Sequence, residues 1–196
     1  MIFLYKLLAF SIPLFASFSY IKEINNGNVR PERATRLMYV LLLTVSFVQQ
    51  LQLESGSGAI LLNLSELIVC IVVGFVAIKN GKGGFSNVDK ACYLILVFSL
   101  VVWLILGKTL GGLILICIAD FAATLPTIIA IYNKPKDEVA WFWFAGSCGA
   151  FFALLASGDI SINQVFIIYI MLINLIVGLM VILIPSTKKN GGVLLK

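Results

Sequence analysis

Seven long apolar stretches divide the chain, near residues 1–21, 37–53, 59–79, 91–107, 110–132, 139–156 and 160–185, with short polar segments between them. A helix rises about 1.5 Å per residue, so a bilayer core about 30 Å thick takes about 20 apolar residues to cross. The second and fourth stretches are short, and both are bounded by polar turns. Too little chain remains between the stretches for a soluble domain. The pattern predicts an all-α integral membrane protein with seven transmembrane helices. Composition agrees, since 61% of the 196 residues are hydrophobic and only 12% charged, against about 25% charged in a soluble domain.

The charges then orient the chain. Twelve of the 14 Lys and Arg residues fall on one side: Lys22, Arg30, Arg33 and Arg36; Lys79, Lys82 and Lys90; Lys134 and Lys136; Lys188, Lys189 and Lys196. Lys6 and Lys108 are left for the other. The positive-inside rule places the amino terminus outside and the carboxyl terminus in the cytoplasm, here of a bacterial inner membrane. The net charge of +5 is therefore a topology signal, with no nucleic-acid partner implied. The first stretch, one lysine before an apolar run ending in "FASFS", also resembles a cleaved signal peptide. Its positive charge lies mainly after the run, and the repeat described next uses this helix, so it is read as a retained span.

Internal similarity adds a second level. Setting Pro31 against Pro135 aligns Tyr39 with Trp143, Ser19-Tyr20-Ile21 with Pro126-Thr127-Ile128, and Pro13 with Asp120. The third and seventh stretches match as "ELIV" from Glu66 and "NLIV" from Asn174. The chain reads as two parallel three-helix repeats, 1–79 and 110–185, joined by a linker helix at 91–107 and followed by a disordered tail, 186–196. The linker has few polar-capable groups, Ser99 and Trp103 among them, and serves to give both triplets one orientation. Parallel repeats are a known transporter construction, with the site at their interface near mid-membrane.

This 3+1+3 arrangement, with a proline-bearing first helix and a short basic turn in each triplet, resembles the SWEET and PQ-loop superfamily. It is also similar in architecture to the PnuC-type vitamin transporters and the KDEL receptor. No Pro-Gln dipeptide occurs; Ser19-Tyr20 and Pro126-Thr127 stand in its place. The resemblance implies transport, with a sugar-site asparagine matched by Asn174. The repeat partner of Asn174 is Glu66, and an acid there points away from a neutral sugar.

Polar residues inside the stretches are the candidate site, because ionisable groups in a membrane are costly and mark function by default. Asp120, Thr124 and Thr127 share one helical face, and Pro126 frees the carbonyl of Ala122 beside them. This could be a functional site, or a kink in which Thr124 satisfies that carbonyl. Glu66 and Asn174 lie at mid-depth, with Asn63 one turn from Glu66. Glu66, Asn63, Asp120, Asn174, Thr124 and Thr127 are the expected substrate-binding residues, Pro13 and Pro126 the hinges, and Tyr39 and Trp143 a gate. Asn163 is read as interhelical glue or a solvated group near the outer end, and Gln49, Gln50 and Gln52 as a solvated helix end or the lining of an entrance. Tyr20, Tyr39, Tyr132, Trp141 and Trp143 suit an aromatic belt. "RPER" and "KPKDE" read as turn-setting loops with local ion pairs, and "GKGG" at 81–84 as a flexible turn with no strand before it to make a phosphate loop.

Other chemistries are set aside. The chain has no histidine, and its four cysteines (Cys70, Cys92, Cys117, Cys148) form no CxxC pair. Neither a metal nor another cofactor is expected, and the cysteines read as small hydrophobes. No nucleophile–base pair stands at helical spacing, so no enzyme is expected. No lysine lies between Ile160 and Pro185, which rules out a retinal pigment. The leading expectation is a carrier for a small polar solute, cationic, sugar-like or nucleoside-like, working by alternating access and open to proton coupling. The alternative is a non-transporting receptor that uses Arg30, Arg33, Arg36, Lys134 and Lys136 as a basic cytoplasmic surface. The expected partners are the bilayer and that solute, and the reading is compatible with a homo-oligomer.

Overall fold

The computed structural model describes residues 1–52, 57–84, 86–106, 110–157 and 164–184. Asn163, Lys108 and the tail with its three lysines lie outside the described residues. Among the described residues seven α-helices follow one another: α1 (Ile2–Asn25), α2 (Arg33–Gln52), α3 (Ser57–Asn80), α4 (Asn87–Leu106), α5 (Leu110–Asn133), α6 (Ala140–Ser157) and α7 (Val165–Leu183). A single 3-10 turn at Pro135–Asp137 separates α5 from α6. All seven are long and apolar enough to cross a bilayer. The chain is an all-α integral membrane protein.

Helix ends follow local chemistry more than hydropathy. The "NNGN" after α1 closes it with a Schellman motif, in which the Asn28 N–H donates to Glu23 O and the Gly27 N–H to Ile24 O, both at 3.0 Å. Gly27 takes φ +77° there, which an L side chain resists. α4 starts at Asn87, before the apolar stretch, because Ser86 and Asp89 form a capping box, with the Ser86 N–H donating to Asp89 Oδ2 at 2.8 Å and the Asp89 N–H to Ser86 Oγ at 3.1 Å. α2 starts at Arg33, one turn before the apolar stretch. Both Pro13 and Pro126 sit inside continuous helices.

Packing places α3 against both α1 and α2, and α7 against both α5 and α6. Across the middle, α1 meets α6, α2 meets α5, and α3 meets α6, while α4 lies on α5 and touches α2. In lipid, helices associate through close backbone approach instead of hydrophobic transfer. Gly58 provides one such approach: a Cβ there would stand 2.8 Å from both Ala153 O and Ala156 Cβ. Large apolar side chains such as Phe15, Phe75, Leu94 and Ile105 point outward, where lipid would cover them.

The three connections on the basic face are knotted together. The Arg33 N–H donates to Lys82 O at 2.9 Å, the Lys82 N–H to Pro31 O at 3.0 Å, and the Arg30 N–H to Asp137 O at 3.1 Å. Lys82 Nζ also pairs with Asp137 at 2.7 Å. "GKGG" is thus tied through Lys82 to the other two connections. Gly83 has φ +66°, and a Cβ on it would collide with the Glu32 carboxylate. Glu32 is buried under this turn. Burial and then the nearby Asp89 raise its carboxyl from an ordinary 4.5 to about 7, against the opposing pull of Lys82 and Arg33.

Candidate functional site

Between the helices lies a cavity of about 60 Å³, measured as space open to the centre of a water molecule. One water needs about 10–15 Å³ by that measure, so the space holds a few waters or a small solute. Six residues singled out from the sequence line it: Pro13, Tyr39, Glu66, Asp120, Trp143 and Asn174. They come from six different helices, α1, α2, α3, α5, α6 and α7.

Local contacts hold these groups in place. The hydroxyls of Tyr39 and Thr124 are 2.6 Å apart, and Thr124 donates to the Asp120 carbonyl at 2.7 Å. Thr124 therefore braces Tyr39 and the α5 backbone from behind the cavity wall. It does not take the Ala122 carbonyl freed by Pro126, since a threonine hydroxyl in a helix reaches the carbonyl four residues back. Asn174 donates from Nδ2 to Ile170 O at 2.9 Å. Its Oδ1 fits beside Gly146, where a Cβ would stand 3.0 Å away. Asp120 is 2% exposed, and its Oδ2 has no hydrogen-bond partner among the described residues. The Tyr169 hydroxyl is its neighbour but closes no hydrogen bond of ordinary geometry.

Four expected residues stand away from the wall. Asn63 donates to Ser46 at 2.7 Å on the α2–α3 seam. Three residues before Glu66 is about 60° round the helix, enough to turn it from the cavity. Thr124 lies behind the wall as described. Thr127 and Pro126 are buried deeper toward the basic face, and Thr127 Oγ1 is unpartnered.

Arg36, which its charge groups with the basic surface, is inside α2, 2% exposed, and lines the cavity. Its Nη2 donates to Tyr20 Oη at 2.8 Å and lies 3.4 Å from Glu138 Oε1. Tyr20 Oη donates in turn to Glu138 Oε2 at 2.8 Å, and Trp143 Nε1 points at the same oxygen at 3.4 Å. The guanidinium packs 5.2–5.3 Å from the ring centroids of Tyr20, Phe142 and Trp143. The acids of "KPKDE" therefore pair at long range, Glu138 with Arg36 and Asp137 with Lys82, and the first pair is buried, while no residue of "RPER" joins an ion pair among the described residues. Arg36, Phe142 and Trp143 of this cluster form part of the cavity wall.

The aromatic belt is also redrawn. Tyr20, Tyr39 and Trp143 are buried, while Tyr132 and Trp141 are exposed as a belt requires. Gln49 and Gln50 are each 1% exposed, not solvated; the helix packs them inside, and only Gln52 faces out. Cys70 is buried on the cavity wall. Among the described residues, no group of three or more Cys, Asp or Glu is placed to hold a metal.

Comparison with known proteins adds no family to this geometry: no family model, curated protein or solved structure matches the chain.

Proposed function

We propose that the protein is a membrane carrier that moves a small polar solute by alternating access through this cavity. The observation that carries the reading is the convergence of Glu66, Asp120 and Asn174, from three helices, on one cavity inside a seven-helix membrane bundle. Polar groups are kept at such a place at a cost of a few kcal/mol. The repeat reading is supported by its aligned pairs. Tyr39 with Trp143, Glu66 with Asn174, and Pro13 with Asp120 all meet on the cavity wall. The packing of α3 on α1 and α2, and of α7 on α5 and α6, repeats the same order. Both features favour a SWEET/PQ-loop-like carrier, and the charge bias favours a basic face turned to the cytoplasm. The Arg36–Glu138–Tyr20–Trp143 cluster then lies toward the cytoplasmic side and joins the two triplets.

The test begins with a thermal-shift screen of purified protein against sugars, nucleosides, vitamins and amines, since a ligand of the native state raises its stability. Uptake of each hit into proteoliposomes follows. Glu66→Gln and Asp120→Asn are each expected to cut uptake by about tenfold or more, with the helical circular dichroism unchanged. Undiminished uptake by both variants would sink the proposal. The receptor alternative retains fewer cations than the sequence offered, because Arg36 is buried and Arg33 donates to Ala77 O at 3.2 Å.

A further inference from the structure

We infer that the cavity's ligand is a small organic monocation, an alkylammonium group with a short apolar body, held between Glu66 and Asp120; this rests on the carrier reading of the same cavity.

Charge balance is the first argument. The cavity wall carries two carboxylates, Glu66 and Asp120, and one cation, Arg36. That cation is already committed to Glu138, to the Tyr20 hydroxyl and to three aromatic rings. The other polar groups facing the two acids are neutral: Tyr39 from α2, Cys70 from α3, and Asn174 and Tyr169 from α7. No described residue donates a hydrogen bond to Asp120 Oδ2. A buried carboxylate without a partner is expensive, and a cation in the adjoining space completes it. An anion would meet two carboxylates and, as the one positive group on the wall, only Arg36, whose charge is paired with Glu138 although its Nε has no hydrogen-bond partner.

The rest of the wall decides between an organic and an inorganic cation. Leu43, Val69, Ile170 and Ile173 give it an apolar body, and Tyr39 and Trp143 add ring surface of the kind that attracts ammonium groups. A bare metal ion needs several oxygen ligands, and four aliphatic side chains supply none. A sugar needs many hydrogen-bonding partners, whereas Asn174 and Tyr39 are the main neutral ones here. A volume of about 60 Å³ suits a ligand of a few heavy atoms.

The charge series n-butylammonium, 1-butanol and butyrate shares one apolar body and separates the possibilities. Calorimetry with the protein in nanodiscs is expected to give n-butylammonium a Kd at least about tenfold below that of 1-butanol, with no butyrate binding. Asp120→Asn and Glu66→Gln should each weaken the ammonium by about tenfold, while Asp120→Glu retains most of the affinity. The wild-type series stands by itself if a variant fails to fold. Equal affinity for 1-butanol and n-butylammonium, ammonium binding unmoved by both neutralising variants, or binding of sodium alone each overturn the cation. A sugar or nucleoside that binds and is carried while n-butylammonium is not also overturns the ligand class and leaves the carrier standing. Absence of binding and transport for every solute in the wider screen removes both.

Discussion

Arg36 sits one turn inside a membrane helix with its charge fully buried, and what makes that tolerable is Glu138 with the Tyr20 hydroxyl and three ring faces. Removing one partner of a buried pair strands the other, at about 3–5 kcal/mol. Arg36→Leu is therefore expected to lower unfolding stability in detergent by about that much. The double variant Arg36→Leu/Glu138→Leu should be more stable than Arg36→Leu alone, and a double variant no better than the single would show that Glu138 is not what Arg36 neutralises. Glu32 makes a pH prediction. Its folded pKa of about 7 lies above the ordinary 4.5, so the protonated form favours folding. That contribution is full below about pH 4.5 and is lost as pH rises through about 7. Melting temperature should fall across that window, and Glu32→Gln should flatten the slope and melt higher than wild type above about pH 7. Identical pH profiles would exclude Glu32 as its source. Glu66, Asp120 and Asn174 were legible from the sequence because a polar residue in a long apolar run has no other ready excuse. Arg36 was not, because an arginine beside an apolar run normally snorkels to water, and its partner lies 102 residues away.

Among the elements, the number of helices and their order could be read from apolar length alone. Their ends could not, since caps follow short-range hydrogen bonding, as Ser86 with Asp89 and Gly27 show. Helical faces were legible to within about a quarter turn, which was sufficient for Asp120 but misplaced Asn63. Pairing of helices depends on small residues whose effect no single-helix pattern reveals. Gly58 is such a position: Gly58→Val forces its side chain into the Ala153 carbonyl and the Ala156 methyl, and overpacking of this kind costs about 1–3 kcal/mol. A lowered detergent-unfolding midpoint checks this, and an unchanged midpoint would mean that α3 and α6 separate without penalty.

At the level of the whole molecule, hydropathy and charge fixed what crosses the membrane, while the cavity emerged only when six helices were brought together. The basic surface expected from the lysines and arginines is partly an interior, because Arg36 turns inward and Lys82 is tied to Asp137. Those ties have a consequence for biosynthesis. Arg36 is made 102 residues before Glu138, and the turn bearing Asp137 is made after five of the seven helices. Until then α2 must sit in the nascent membrane with its guanidinium unpaired, within reach of water only because it lies one turn from the helix end. Final seating of the amino-terminal helices thus waits on Glu138, just before the sixth helix, and a ribosome stalled ahead of it would leave α2 displaced toward the basic face.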